Sequence, residues 1–142
     1  MLDLSERAHR LLTDTPIGHL ATAGADGDPH AIPICFVTTG NLVYSVIDEK
    51  PKRTRHLRRV RNIEENGRAT LIVDRYDDDW TQLGWVMLRA DAAILPLGDE
   101  HATALALLRE RYHQYRDMAL EEAPLLRLDV QRATEWWYTP DA

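Results

Sequence analysis

The stretch Ile17–Thr38, IGHLATAGADGDPHAIPICFVT, decides how this chain folds. Ile17–Ala23 reads as a short strand, Gly24-Ala25-Asp26-Gly27-Asp28 is turn chemistry with glycines able to take positive φ, and Pro29–Thr38 returns as a second strand, so the pair reads as a hairpin. In the returning strand Ile32, Ile34 and Phe36 face one way, and Ala31, Pro33, Cys35 and Val37 the other. Pro33 has no N–H to give to a ladder. It predicts an edge strand, a bulge, or a place where the backbone faces something other than another strand.

Working outward, Leu4–Leu12 reads as a helix, with Asp3 or Ser5 to cap it and Ala8, Leu11 and Leu12 on one face; Thr15-Pro16 stops it. After the hairpin, Thr39-Gly40-Asn41 turns into a strand at Leu42–Ile47. Arg68–Arg75 and Gly84–Leu95 have strand patterns, separated by the acidic loop Tyr76–Trp80. A helix is expected from about Glu100 to Asp117, its inner face Ala102, Leu105, Leu108 and Tyr112. Leu125–Tyr138 is a last strand in which Leu126, Leu128 and Val130 alternate. Six strands joined mainly by short antiparallel turns predict a mainly β (α+β) fold, a small closed or split barrel with flanking helices. Regular βαβ alternation is missing, so a parallel sheet is not expected. At 142 residues, 1–142 is read as a single domain.

Charge is unevenly spread. From Lys50 to Arg61 there are seven Lys or Arg residues and no carboxylate, leaving 10 basic against 23 acidic residues elsewhere. Pro51 suits a first helical turn, where its missing N–H would have no partner. The junction therefore offers an anion the free N–H groups of a helix start beside Lys50, Lys52 and Arg53. The plainer alternative is a solvated helix face, since Leu57, Val60 and Ile63 recur every three residues and leave the arginines outside. Nucleic acid is disfavoured because the net charge is −6, so the long-range field opposes a polyanion.

The remaining composition excludes several classes. Hydrophobic residues make up 44%, no stretch approaches a membrane span, and MLDLSERAHRLL is a charged amphipathic segment rather than a signal peptide, so a cytoplasmic location without membrane contact is expected. The lone Cys35 excludes a disulfide within one chain and has no evident neighbouring base. Six histidines show no His-Glu-x-x-His pattern, so no metal site is expected. Trp80 and Trp85, after the acidic loop, suit either stacking on a ring or packing.

Three segments together carry a family resemblance: IGHLATAGADGDPHAIPICF, LVYSVIDEKPKR and RNIEENGRATLIVDRY. They resemble the split-barrel flavin-binding fold of the pyridoxamine 5′-phosphate oxidase superfamily, and more closely its actinobacterial deazaflavin (coenzyme F-420) dependent subgroup. The chain's 15 Arg against 2 Lys fit a GC-rich genome of that kind. The resemblance, which spans about Leu4 to Tyr138, implies a six-stranded antiparallel split barrel and a homodimer with the cofactor in a cleft between protomers. It puts Pro33, Ile34 and Cys35 along the ring, Ser45 near the ring or the ribityl chain, and Lys50, Lys52 and Arg53 at the phosphate, with Arg59 competing with Lys52 for that role. Trp80 joins them as a stacking candidate. The implied activity is hydride transfer between F-420 and a small organic substrate, with FMN as the alternative cofactor, or else non-catalytic binding of a flavin, deazaflavin or haem. The cofactor carries the hard step, so no acid–base dyad is required; Tyr44, Ser45 or solvent would supply a proton. The Arg-containing C-terminal segment of the true oxidases has no counterpart after Trp136-Trp137-Tyr138, so pyridoxamine phosphate oxidation itself is not expected.

Overall fold

The computed structural model describes residues 3–48 and 57–140. In chain order they form α1 (Glu6–Asp14), β1 (Gly18–Ala23), β2 (Pro29–Ile34), β3 (Val37–Thr39), β4 (Leu42–Val46), α2 (Arg58–Glu65), β5 (Arg68–Arg75), β6 (Gly84–Leu95), α3 (Asp99–Arg111) and β7 (Leu125–Trp137). Short 3-10 turns lie at Trp80–Gln82 and His113–Asp117. The strands make one antiparallel sheet in the order β2-β1-β5-β6-β7-β4-β3.

The sheet has seven strands among the described residues, one more than expected, because the run Pro29–Thr38 breaks at Cys35-Phe36. Phe36 turns its backbone away from the ladder: its N–H donates to the Tyr112 hydroxyl (3.0 Å), and its carbonyl accepts from Arg111 (2.7 Å) and Tyr112 (2.9 Å). The break closes the fold. β2 and β3 are the two edges of the sheet, yet only two residues separate them, about 7 Å of extended chain. A seven-stranded sheet whose edges are tied that closely has to curl round on itself, which gives the split barrel. Pro33 lies in edge strand β2, where its missing N–H costs no ladder bond.

The barrel is filled rather than hollow. Leu20, Phe36, Val43, Leu71, Leu88 and Leu126 are fully buried in one cluster, closed by Ala8, Leu11 and Leu12 of α1 and Ile63 of α2. A second cluster lies outside the barrel wall, where Tyr44, Leu95 and Leu125 meet Ala104, Leu105 and Leu108 of α3. α3 departs from expectation in two ways. Its buried face is His101, Ala104, Leu105 and Leu108, with Ala102 exposed. It also ends at Arg111, because Tyr112 takes an extended conformation (φ −116°) that lets both side chains reach the Phe36 bend.

The turn at Pro51 expected to open the basic helix lies outside the described residues, and the helix that carries the arginines, α2, begins only at Arg58, with Leu57 extended before it. From Arg58 onward, α2 buries Arg59, Asn62 and Ile63, while Leu57 and Val60 are only half-buried, so the arginines are not all outside. Polar anchoring sets that rotation. Asn62 donates to Thr22 Oγ1 (3.1 Å), Arg58 reaches Asp28 (3.3 Å), and Glu65 accepts from the Ala25 N–H (3.0 Å), all on the β1–β2 hairpin.

Candidate cofactor-binding site

Because side chains fill the barrel, space for a planar group is left only on an outer surface, and the sheet register shows which outward residues lie together. Inward Leu20, Leu71 and Leu88 are partners across β1, β5 and β6. The adjacent outward row runs Pro33, His19, Ile72, Met87 and Thr134, partner to partner across β2, β1, β5, β6 and β7. Pro33, His19 and Thr134 are exposed, and Ile72 and Met87 half-buried. Two residues further along, Asp74 is opposite Trp85, and Trp85 opposite Trp136. Five strands at about 4.8 Å spacing make this face about 19 Å wide. Trp136 (43% exposed) and Ile17 (40%) extend its apolar character, so this is a contiguous patch rather than scattered exposure.

The expected site residues fall in several places. Pro33 belongs to the outward row. Ile34 points into the barrel interior and is buried; Cys35 is half-buried in the second cluster, against the outer side of β4. Ser45 is buried and donates to the Cys35 carbonyl at 2.7 Å, so it is brought beside the expected ring-binding segment with its hydroxyl already used. Lys50, Lys52 and Arg53 lie outside the described residues. Arg59 sits in α2, at the hairpin-turn end of the barrel; Pro29, next to that turn, is separated from Pro33 by about 13 Å along β2. Trp80 is exposed in the β5–β6 connection, at the same end of the sheet as Pro33, since β5 runs from Ala69 opposite Thr22 to Ile72 opposite His19. Trp85 is half-buried on the outward face itself.

The proton donors suggested by sequence are spoken for. Tyr44 donates to Glu100 Oε2 at 2.5 Å, and Arg127 Nε donates to the same oxygen at 2.7 Å. Burial, then the Glu100 contact, push the Tyr44 phenol up to about 12, so it holds its proton. Burial likewise raises Tyr115, and the neighbouring Cys35 thiol adds to the shift. No group of three or more His, Cys, Asp or Glu side chains fit to hold a metal occurs among the described residues.

The outward residues His19, Ile72, Met87 and Thr134 were missed in the sequence. A signal was present. RATLIVDR and GWVMLRA carry Ile72, Trp85 and Met87 at positions whose neighbours face the barrel core, and a solvated face would be polar there.

The chain matches the family described as Pyridoxamine 5′-phosphate oxidase over residues 4–138. It belongs to that family. Solved structures repeat the fold at low identity. HutZ, the haem storage protein from Vibrio cholerae, is 18% identical with a TM-score of 0.72, covering 94% of each chain. An FAD-binding protein from Mesorhizobium loti is 19% identical with a TM-score of 0.68, covering 93% of this chain and 94% of that one. The conserved hypothetical protein Rv2991 from Mycobacterium tuberculosis is 18% identical with a TM-score of 0.74, covering 98% and 91%. None of the curated proteins matches the chain. No helix among the described residues is long and apolar enough to cross a membrane.

Proposed function

We propose that this family member is an oxidoreductase that binds the deazaflavin coenzyme F-420 in a cleft between two protomers and exchanges a hydride with a small organic substrate in the cytoplasm. The observation that carries the reading is the outward apolar face from Pro33 through His19, Ile72 and Met87, continuous with Trp85 and Trp136, beside a filled barrel. A planar ring fits such a face. The proposed anchors for the cofactor's negative charges are Lys50, Lys52, Arg53 and Arg59, and seven basic residues in that window exceed what the single phosphate of FMN needs. The bound deazaflavin would supply the hydride chemistry. The protein's part is to orient the ring along β2, exclude water with a second copy, and leave the proton to solvent, since the hydroxyls of Tyr44 and Ser45 are bonded elsewhere.

A haem-binding, non-catalytic role is the second reading. It is favoured by exposed His19 in the apolar row, an imidazole able to ligate iron, and by the haem storage protein among the structural neighbours. The test is tryptophan quenching titrated with F-420, FMN and haemin at two salt concentrations. Tighter, salt-weakened binding of F-420 is expected, because Trp85 and Trp136 lie on the proposed face. Preference for FMN moves the chemistry to an ordinary flavin, preference for haemin to the binder, and uptake of none of them overturns the reading.

A further inference from the structure

On the same outward face, one row further from Pro33, lies a groove of about 560 Å³. Its row runs Ala31, Ala21, Thr70, Arg89 and Arg132, about 7 Å along the strands from the apolar row. The floor is small (Ala21, Thr70), and the walls are long: Arg68, Arg89 and Arg132, with Asp91 the one carboxylate in the lining. The register sets Arg89 directly opposite Arg132. Like charges paired across strands repel, and the usual remedy is a nearby carboxylate. Here the carboxylate in the lining, Asp91, does not supply it: among the described residues, no hydrogen bond or ion pair engages the guanidinium of Arg68, Arg89 or Arg132. Asp91 stands opposite Arg68 but does not pair with it. The pairing of β6 and β7 also shifts register between Arg89 and Ala90, leaving Gln131 as the extra residue at the groove wall. Such bulges re-aim side chains and occur often beside binding sites. By contrast, Arg58, Arg109, Arg111 and Arg127 are each bonded to carboxylates or carbonyls.

We propose that Arg68, Arg89 and Arg132 form an anion-binding groove on the outer face of the sheet, which takes a ligand group bearing a phosphate or several carboxylates. The site does not rest on the cofactor reading: it requires an anion, and no ring. Guanidinium forks on neighbouring strands match the paired oxygens of such groups, and the anion supplies the countercharge that the fold withholds.

The experiment is isothermal titration of the full chain with inorganic pyrophosphate and, separately, with citrate. Thermal unfolding without either anion and sedimentation velocity accompany it. Saturable binding of at least one anion is expected, and the tighter of the two identifies phosphate or carboxylate as the preferred chemistry. Arg89→Gln and Arg132→Gln should each weaken binding tenfold or more, yet raise the anion-free Tm, because each removes one member of a repelling pair. Arg75→Gln, on β5 but outside the groove, should change neither. No saturable binding, unchanged affinity in the groove variants, or an equal loss in Arg75→Gln would overturn the proposal. So would a groove variant that only dissociates a dimer, since the arginines would then serve a subunit contact.

Discussion

The outward face of β4 and of the neighbouring ends of β6 and β7 is roofed by α3 and the turn after it, whereas the outward face of β2, β1, β5 and the first part of β6 has no such roof among the described residues. Under the roof the polar groups are bonded: Tyr44 and Arg127 share Glu100, and Arg109 holds the Tyr115 and Met118 carbonyls. On the other side the guanidinium groups of Arg68, Arg89 and Arg132 have no protein partner among the described residues, and Ile72, Met87 and Trp85 are left half-covered. α1 and α2 do not even out the contrast, since their apolar residues go into the barrel interior. One side of the sheet is completed by α3, and the other is left open by the described residues.

The largest effect is expected where the completed side is tied to the rest. Arg111 donates to Phe36, Leu12, Thr13 and Thr15, so one guanidinium satisfies the carbonyl ends of α1 and holds the bend between β2 and β3. Its plane also lies 4.7 Å from the Phe36 ring centre. Arg111→Ala should cost about 3 kcal/mol in chemical denaturation, since charged bonds are lost and several carbonyls are left unsatisfied. Arg111→Lys should recover less than half, because one ammonium cannot serve that fork. A loss below about 1 kcal/mol would show that water satisfies these carbonyls as well as arginine does.

A second point of close packing lies where β6 begins. A Cβ on Gly84 would come within 2.1 Å of the Trp137 ring, which lies against the Gly84 backbone across the β6–β7 ladder. Gly84→Ala is expected to destabilise by about 2 kcal/mol through overpacking. Trp137→Leu in the same background should restore part of it, which a purely conformational role of glycine would not allow.

The third effect is pH-dependent. Glu135 accepts the Ser5 N–H (2.9 Å), the Ser5 hydroxyl and the Trp137 indole N–H (2.8 Å), fastening the start of α1 to β7. Burial alone would raise its pKa, but these donors outweigh burial and hold the carboxyl below its ordinary value. A depressed folded-state pKa stabilises the protein above the unfolded value, and that contribution is lost as pH falls through the folded value. Glu135→Gln should therefore cost about 1 kcal/mol at pH 7. The difference from wild type should shrink as pH falls below the ordinary glutamate value of about 4.3 and vanish once the folded-state carboxyl is protonated. A gap that persists in acid would mean the amide fails on shape rather than charge.

Much of this was legible in the chain. Arg68–Arg75 and Gly84–Leu95 are strands over the lengths their alternation predicts, and Pro33 lies on an edge. The break at Cys35-Phe36 was hidden because alternation runs through it: Ile34 and Phe36 both enter the core, one on each side of the bend. What bends the chain there is Arg111 and Tyr112, about 75 residues away, and no local pattern carries that. The arginine groove was hidden for a related reason. Arg89 and Arg132 become neighbours only through the β6–β7 register, while the Lys50–Arg61 cluster is contiguous in the sequence.

The smallest stability effect sharpens the comparison most. Met87 and Leu88 are consecutive on β6 but face opposite ways, Met87 to the open face and Leu88 fully buried in the barrel. Leu88→Ala should cost about 3 kcal/mol, as core truncations do. Met87→Gln should stay within about 0.5 kcal/mol of wild type, because it alters a surface that the described residues leave half-covered. Yet Met87→Gln is the variant expected to weaken binding of a planar ligand, since it puts an amide at the middle of the apolar row. If it instead destabilises by more than about 2 kcal/mol, with a midpoint that depends on protein concentration, the open face is completed by a second copy of the chain. The contrast between the two sides would then be one of assembly, not of ligand binding.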